Sequence, residues 1–247
     1  MDRQKLLHHL NQLLEIDRFA DFCPNGLQVE GKSEIRKIVA GVSVGEKLFR
    51  AAVEKQADMI IVHHGMFWQK DPHPYFITGY RKRRLELLIK NDINLVAYHL
   101  PLDAHRQLGN NIQILRRLNI EPLEAMEIGF IGIIRNSLTI LDLHENIDHQ
   151  LETRAMLFDF GPEQVEKVLV ISGSSSSAIE KAAELGVDTF IGGDIREEHV
   201  RICEELGLNF IAAGHYNSEK FGVKALTEYI KEKFNLNMEF IDISNPV

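Results

Sequence analysis

The chain has 247 residues and a net charge of −8, with 45% hydrophobic and 26% charged residues. That length supports a full hydrophobic core in one large domain or two smaller ones, and the composition excludes a disordered chain. The acidic balance lacks the broad positive field that gathers nucleic acid. No apolar run nears the roughly 18 residues of a membrane helix, and Cys23 and Cys203 are too few and too far apart for a disulfide scaffold. A cytoplasmic, reducing setting is expected.

Apolar residues at Leu6, Leu7, Leu10, Leu13 and Leu14 have helical spacing over 2–16, and Cys23-Pro24-Asn25-Gly26 reads as a turn. A strand over 37–42 is followed by a helix over about 46–56 and a second strand over 59–62, which ends at His63-His64-Gly65. Residues 66–80 read as a long aromatic loop with Pro72 and Pro74. A helix over 81–90, a strand over 94–98 ending at His99, and a helix over about 110–118 complete this half. Apolar strands alternating with amphipathic helices indicate βαβ units and a mostly parallel sheet.

The second half repeats the first. Residues 37–64 align without gaps to 167–194, with identities at Lys37/Lys167, Ala52/Ala182, Glu54/Glu184, Asp58/Asp188 and Ile61/Ile191. The strand Asn94–His99 recurs as Asn209–His215 with one extra residue. The expected fold class is therefore α/β, with duplicated βαβαβ units, halves at 1–124 and 125–247, and a metal site between the halves. The C-terminal segment is left open to pack onto the first half.

Chemistry-bearing residues gather at the carboxyl ends of these strands, where open α/β sheets bind ligands. His63 and His64 end one strand, His99-x-x-x-Asp103 follows another, and His215-x-x-x-Glu219 follows its counterpart in the repeat. Adjacent side chains on a strand point to opposite faces, so the His pair suits two neighbouring metals better than one. Asp103 or Glu219 could bridge ions roughly 3.5–4 Å apart. Ligation through His and carboxylate without Cys suits two divalent ions of Zn, Fe, Mn, Co or Ni.

Pro24-Asn25-Gly26-Leu27-Gln28-Val29-Glu30-Gly31, the segment 58–65, His99-Leu100-Pro101-Leu102-Asp103, Gly109-Asn110-Asn111 and Gly214-His215-Tyr216-Asn217-Ser218-Glu219 resemble the NIF-three-like family, also called GTP cyclohydrolase type 2 homologues. The resemblance spans nearly the whole chain. It implies the NIF-three-like fold and a dinuclear site with ligands His63, His64, Asp103, His215 and Glu219. It also implies a ring-shaped homohexamer whose sites face an internal cavity. His99 is not among the ligands it implies. His99 is expected to mirror His215 and to support a ligand or transfer protons; a buried structural His is the alternative.

Two ions could lower the pKa of a bridging water. The expected function is thus a metal-dependent hydrolase of a nucleotide-like or phosphate-bearing small molecule. The alternative is a non-enzymatic metal-binding scaffold, chaperone or sensor, associated through the family with DNA damage. Nucleic acid draws only on that association and on Arg81-Lys82-Arg83-Arg84, which otherwise read as a solvated helix face. Gly173-Ser174-Ser175-Ser176-Ser177 either holds a phosphate or caps a helix. Met66-Phe67-Trp68 either walls the site or packs ordinarily. His73, His105, His144, His149 and His199 read as surface or structural.

Overall fold

The computed structural model describes residues 1–247. In chain order the first elements are α1 (Arg3–Leu13), β1 (Gly26–Val29), β2 (Lys37–Ser43), α2 (Glu46–Glu54), β3 (Met59–His64), α3 (Gly79–Lys90) and β4 (Asn94–Ala97). Then come α4 (Leu100–Ala104), α5 (Asn110–Arg117), β5 (Glu121–Ala125), β6 (Phe130–Ile133), α6 (Ile140–Leu151), β7 (Met156–Phe158) and β8 (Lys167–Ile171). The last are α7 (Ile179–Glu184), β9 (Thr189–Gly192), α8 (Glu197–Leu206), β10 (Asn209–Ala212), α9 (His215–Phe234) and β11 (Asn237–Phe240). No helix is long and apolar enough to cross a membrane.

Two compact units result: Met1–Leu102 with Val223–Ile243, and Asp103–Gly222 with Ser244–Val247. They differ from the expected halves at 1–124 and 125–247. Residues 103–124 join the second unit because α5 buries Ile112, Ile114 and Leu115 in one core with Phe130, Val168 and Ile211. Residues 223–243 join the first because β11 pairs with β2 in parallel, Met238 opposite Ile38.

The first unit's sheet has the order β1-β4-β3-β2-β11, and only the β1–β4 pair is antiparallel. The second unit's sheet has the order β5-β6-β8-β9-β10-β7. Its β8–β9 and β9–β10 pairs are parallel and its edges antiparallel. A short connection between β5 and β6 dictates that antiparallel edge, because parallel neighbours need a long crossover. The central strands are apolar on both faces, as the adjacent pairs Ile60-Ile61 and Leu95-Val96 in one unit and Val168-Leu169 and Phe210-Ile211 in the other show, all of them buried.

The repeat is larger than the sequence suggests. Strand registers match: Ile38 faces Met59 as Val168 faces Thr189, and Met59 faces Asn94 as Thr189 faces Asn209. The antiparallel strands β1 and β7 occupy the same place, beside β4 and β10. Even α1 and α6 correspond, since Arg3 N bonds Ser33 O as Ile140 N bonds Glu163 O.

Buried Asn94 ties the first repeat together. Its Oδ1 accepts from Gly31 N at 2.9 Å, and its Nδ2 donates to Lys32 O and Asp58 O at 2.9 Å each. Asn209 does the same with Gly161 N and Pro162 O at 2.7 and 2.8 Å. Removing one partner orphans buried backbone groups. Asn94→Ala is expected to cost about 2–4 kcal/mol in urea unfolding; a loss under about 0.5 kcal/mol would show that the bridge contributes nothing.

Candidate metal centre

In the first unit, His63 and His64 end β3, and His99 follows β4. Each offers one nitrogen, and these nitrogens lie within 4.8 Å of one another. The rings of His63 and His64 are 4.6 Å apart, and that of His99 is 5.0 Å from His63. Parallel register produces this grouping, because Val62 faces Ala97 and the last two residues of β3, His63 and His64, lie level with the residues that follow β4.

The Nδ1 atoms of these rings are all engaged. His63 Nδ1 donates to Tyr98 O at 2.9 Å, His64 Nδ1 lies 2.9 Å from Ser43 Oγ, and His99 Nδ1 is 2.7 Å from Asp21 Oδ1. A carbonyl or carboxylate at Nδ1 puts the proton there and makes Nε2 the lone-pair nitrogen, the arrangement that supports a metal-ligating imidazole. Asp21 also accepts from Cys23 N, Asn25 Nδ2 and Leu100 N. Burial pushes its pKa up, but the His99 bond and these donors outweigh burial and bring it down to about 2. Trp68 closes one side, with its ring 5.1 Å from His99 in edge contact and 6.0 Å from His64. Of the expected aromatic wall only Trp68 is placed so; Met66 lies in the core and Phe67 packs on Tyr75.

In the second unit, His215 opens α9 and Glu219 lies one turn on, with His215 Nε2 3.1 Å from Glu219 Oε2. His215 Nδ1 is 2.9 Å from Asp194 Oδ2, so this ring too is held by Nδ1. Burial would lower the His215 pKa, but the bonds to Asp194 and Glu219 prevail and raise it to about 10. A carboxylate oxygen of buried Asp103 lies within 4.8 Å of one of buried Glu219. Asp103 Oδ1 accepts from Asn110 Nδ2 at 2.7 Å and Ser172 Oγ at 3.1 Å. Beside Ser172, Gly173 (φ +64°) leaves the room that Glu219 uses: a Cβ there would stand 2.1 Å from Glu219 Oε1.

The extra residue of the second repeat is Gly214 (φ +84°). Ala213 N bonds Gly192 O as Tyr98 N bonds Val62 O, so Gly214 takes the strand-end place of His99 and His215 moves to the helix start. The expected mirror relation between His99 and His215 is therefore offset by one residue. The capping reading of the serine loop does not hold, because no side-chain cap forms: Ser175 Oγ donates to Ile171 O, and Ser176 Oγ pairs with His199 Nδ1. In the basic run, Arg81 and Arg84 stack on Tyr80 while Arg83 bonds Glu46.

Sequence reasoning missed Asp21, Ser43, Asp194, Asn110 and Ser172 as supports. Asp194 carried a signal, since the repeat aligns it with His64. Asp21 carried none, standing 78 residues from His99.

Fold and donors together define a duplicated α/β protein with His, Asp and Glu groups able to bind a metal ion. The model of Duf34/NIF3 (NGG1p interacting factor 3) matches residues 1–246, and the chain belongs to that family. A protein of Yersinia pestis named GTP cyclohydrolase 1 type 2 homolog is 43% identical over 240 residues, covering 96% of each chain. The solved structure of protein ybgI, described as of unknown function, matches all of both chains with a TM-score of 0.96 at 40% identity. That of TTHA1606 from Thermus thermophilus matches all of both chains with a TM-score of 0.90 at 37% identity.

Two outcomes are expected of the metal-free protein. Gly173→Ala should displace the Glu219 carboxylate and lower metal uptake, read by elemental analysis, while circular dichroism stays native; full uptake would show that the close approach is irrelevant. The His215 pKa lies above its unfolded value near 6.5. Its stabilising contribution is therefore complete below about pH 6.5 and lost as pH rises through about 10. Denaturant midpoints between pH 6.5 and 10 should decline less in His215→Gln than in the parent.

Proposed function

We propose that His63, His64, Asp103, His215 and Glu219 hold two divalent metal ions, and that the protein is a metal-dependent hydrolase of a nucleotide-like or other phosphate-bearing small molecule. The observation that carries this reading is the common orientation of the imidazoles. His63, His64 and His215 are each held at Nδ1, so each presents Nε2. The donor set fits Zn, Fe, Mn, Co or Ni, all of which accept imidazole with carboxylate.

A pair of such ions supplies an acidified water and an electrophilic contact for the bond to be cleaved. The chain's own residues do the rest. Buried Asp103 and Glu219 offset the added positive charge, and Asn110 and Ser172 fix the Asp103 carboxylate. Asp21 orients His99, whose Nε2 can hold or pass a proton beside His63 and His64. Trp68 excludes water on one side of those rings. The name of the relatives directs the choice of substrate toward a purine nucleotide, with opening of the GTP ring as the first reaction to assay.

The test is turnover of a nucleotide panel by the metal-loaded protein. Turnover lost in His64→Ala supports the reading; an unchanged rate, or no substrate turned over, removes the hydrolase. Metal binding itself has a separate signature. Imidazole must lose its Nε2 proton to ligate, and His215 carries one up to about pH 10. Calorimetry in buffers of different ionisation enthalpy should therefore show proton release on metal binding at pH 7, with affinity weakening further below about pH 6.5. Affinity independent of pH from 5 to 8 would contradict ligation by His.

A further inference from the structure

The two repeats differ in how they satisfy one aspartate, and the difference points to a ligand. In the first unit Asp58 Oδ2 accepts from the N–H groups of Arg36 at 2.9 Å and Lys37 at 3.0 Å. Its other oxygen, Oδ1, accepts from Lys32 Nζ at 2.8 Å. In the second unit Asp188 reproduces the first half of this arrangement, with Oδ2 bonded to the N–H groups of Glu166 at 2.9 Å and Lys167 at 2.7 Å. The matching backbone bonds of Asn94 to Lys32 O and Asn209 to Pro162 O put Pro162 in the place of Lys32. Proline brings no ammonium. Asp188 Oδ1 is buried and has no hydrogen-bond partner.

A buried carboxylate oxygen without a donor is costly unless something outside the chain satisfies it. Asp188 also lines a cavity of about 640 Å³, together with Ile133, Ile134, Val165, Arg135 and Lys167. That volume is in the range of small-molecule sites. Neither lining cation is directed to Asp188: Arg135 makes two bonds to Glu121, and Lys167 Nζ donates to Leu185 O at 2.6 Å. The cavity lies at the amino ends of β8 and β9. Ser172, Gly173 and Asp194 follow the carboxyl ends of the same strands, so this is a different place from the metal centre.

We propose that this cavity binds a small aliphatic amine, with the ammonium on Asp188 Oδ1 and the methylene stem against Ile133, Ile134 and Val165. One carboxylate oxygen without a donor, near the apolar side chains of Ile133, Ile134 and Val165, suits an alkylammonium, whereas a divalent ion needs several oxygens. The first repeat supplies the template, since Lys32 places such a group on Asp58.

The probe is n-butylamine, the side chain of Lys32 detached from its backbone, titrated into the full-length protein and followed by NMR shifts of the 133–137, 164–167 and 186–188 amides. Saturable shifts confined to these amides are expected. Asp188→Asn keeps an oxygen for the Glu166 and Lys167 N–H groups but loses the charge, and should weaken binding by about tenfold or more. Pro162→Lys should supply the ammonium from within, abolish butylamine binding and raise the melting temperature by about 2–4 °C. The alcohol n-butanol should not bind. Absence of saturable shifts overturns the proposal, as does equal binding by butanol or undiminished binding in Pro162→Lys. Should Asp188→Asn fail to fold, Pro162→Lys decides.

Discussion

An imidazole presents one nitrogen to a ligand only when something holds the other. That constraint governs the candidate centre more than the number of donors does. Tyr98 O is available to His63 because β3 and β4 run parallel in a register that brings Val62 opposite Ala97. Ser43 Oγ reaches His64 Nδ1 because Ser43 and His64 are register partners across β2 and β3. The sheet that buries the core thus also aims the rings. A one-residue slip would turn every side chain of β3 to the other face and scatter the donors.

Electrostatics completes what geometry begins. Asp103 and Glu219 are buried carboxylates, which is expensive without compensating charge. In the metal-free protein His215 supplies some of it by keeping a proton to about pH 10 between Asp194 and Glu219. The same field that holds a proton on Nε2 favours any cation there. A metal ion held there would displace that proton, which would couple the centre to pH.

The alternation of apolar strands with amphipathic helices made the βαβαβ units legible, and strand ends followed by His and carboxylate marked the donors. The antiparallel strands β1 and β7 were not legible, because four- and three-residue segments are too short to show a period. The unit boundaries were hidden for another reason. α9 is continuous through residue 222, so the break lies within regular structure and leaves no loop signature. Asp21 and Ser43 support their rings through contacts between segments far apart in sequence, which no local pattern encodes.

Divergence of the repeats explains why the two units bring different donors. The places of Ser43, His63 and His64 in the first are taken by Gly173, Gly193 and Asp194 in the second. The glycines are enforced by packing: a Cβ at Gly193 would meet Gly173 O at 2.6 Å, and one at Gly173 would meet Glu219. Strand ends stripped of side chains leave room for a carboxylate arriving from a helix. His63 and His64 therefore sit on β3 in one unit and His215 and Glu219 on α9 in the other, and Asp194 aims a neighbouring ring from the position of His64. A histidine placed at 193 would not restore the first unit's arrangement, because the backbone that made space for Glu219 now occupies its volume.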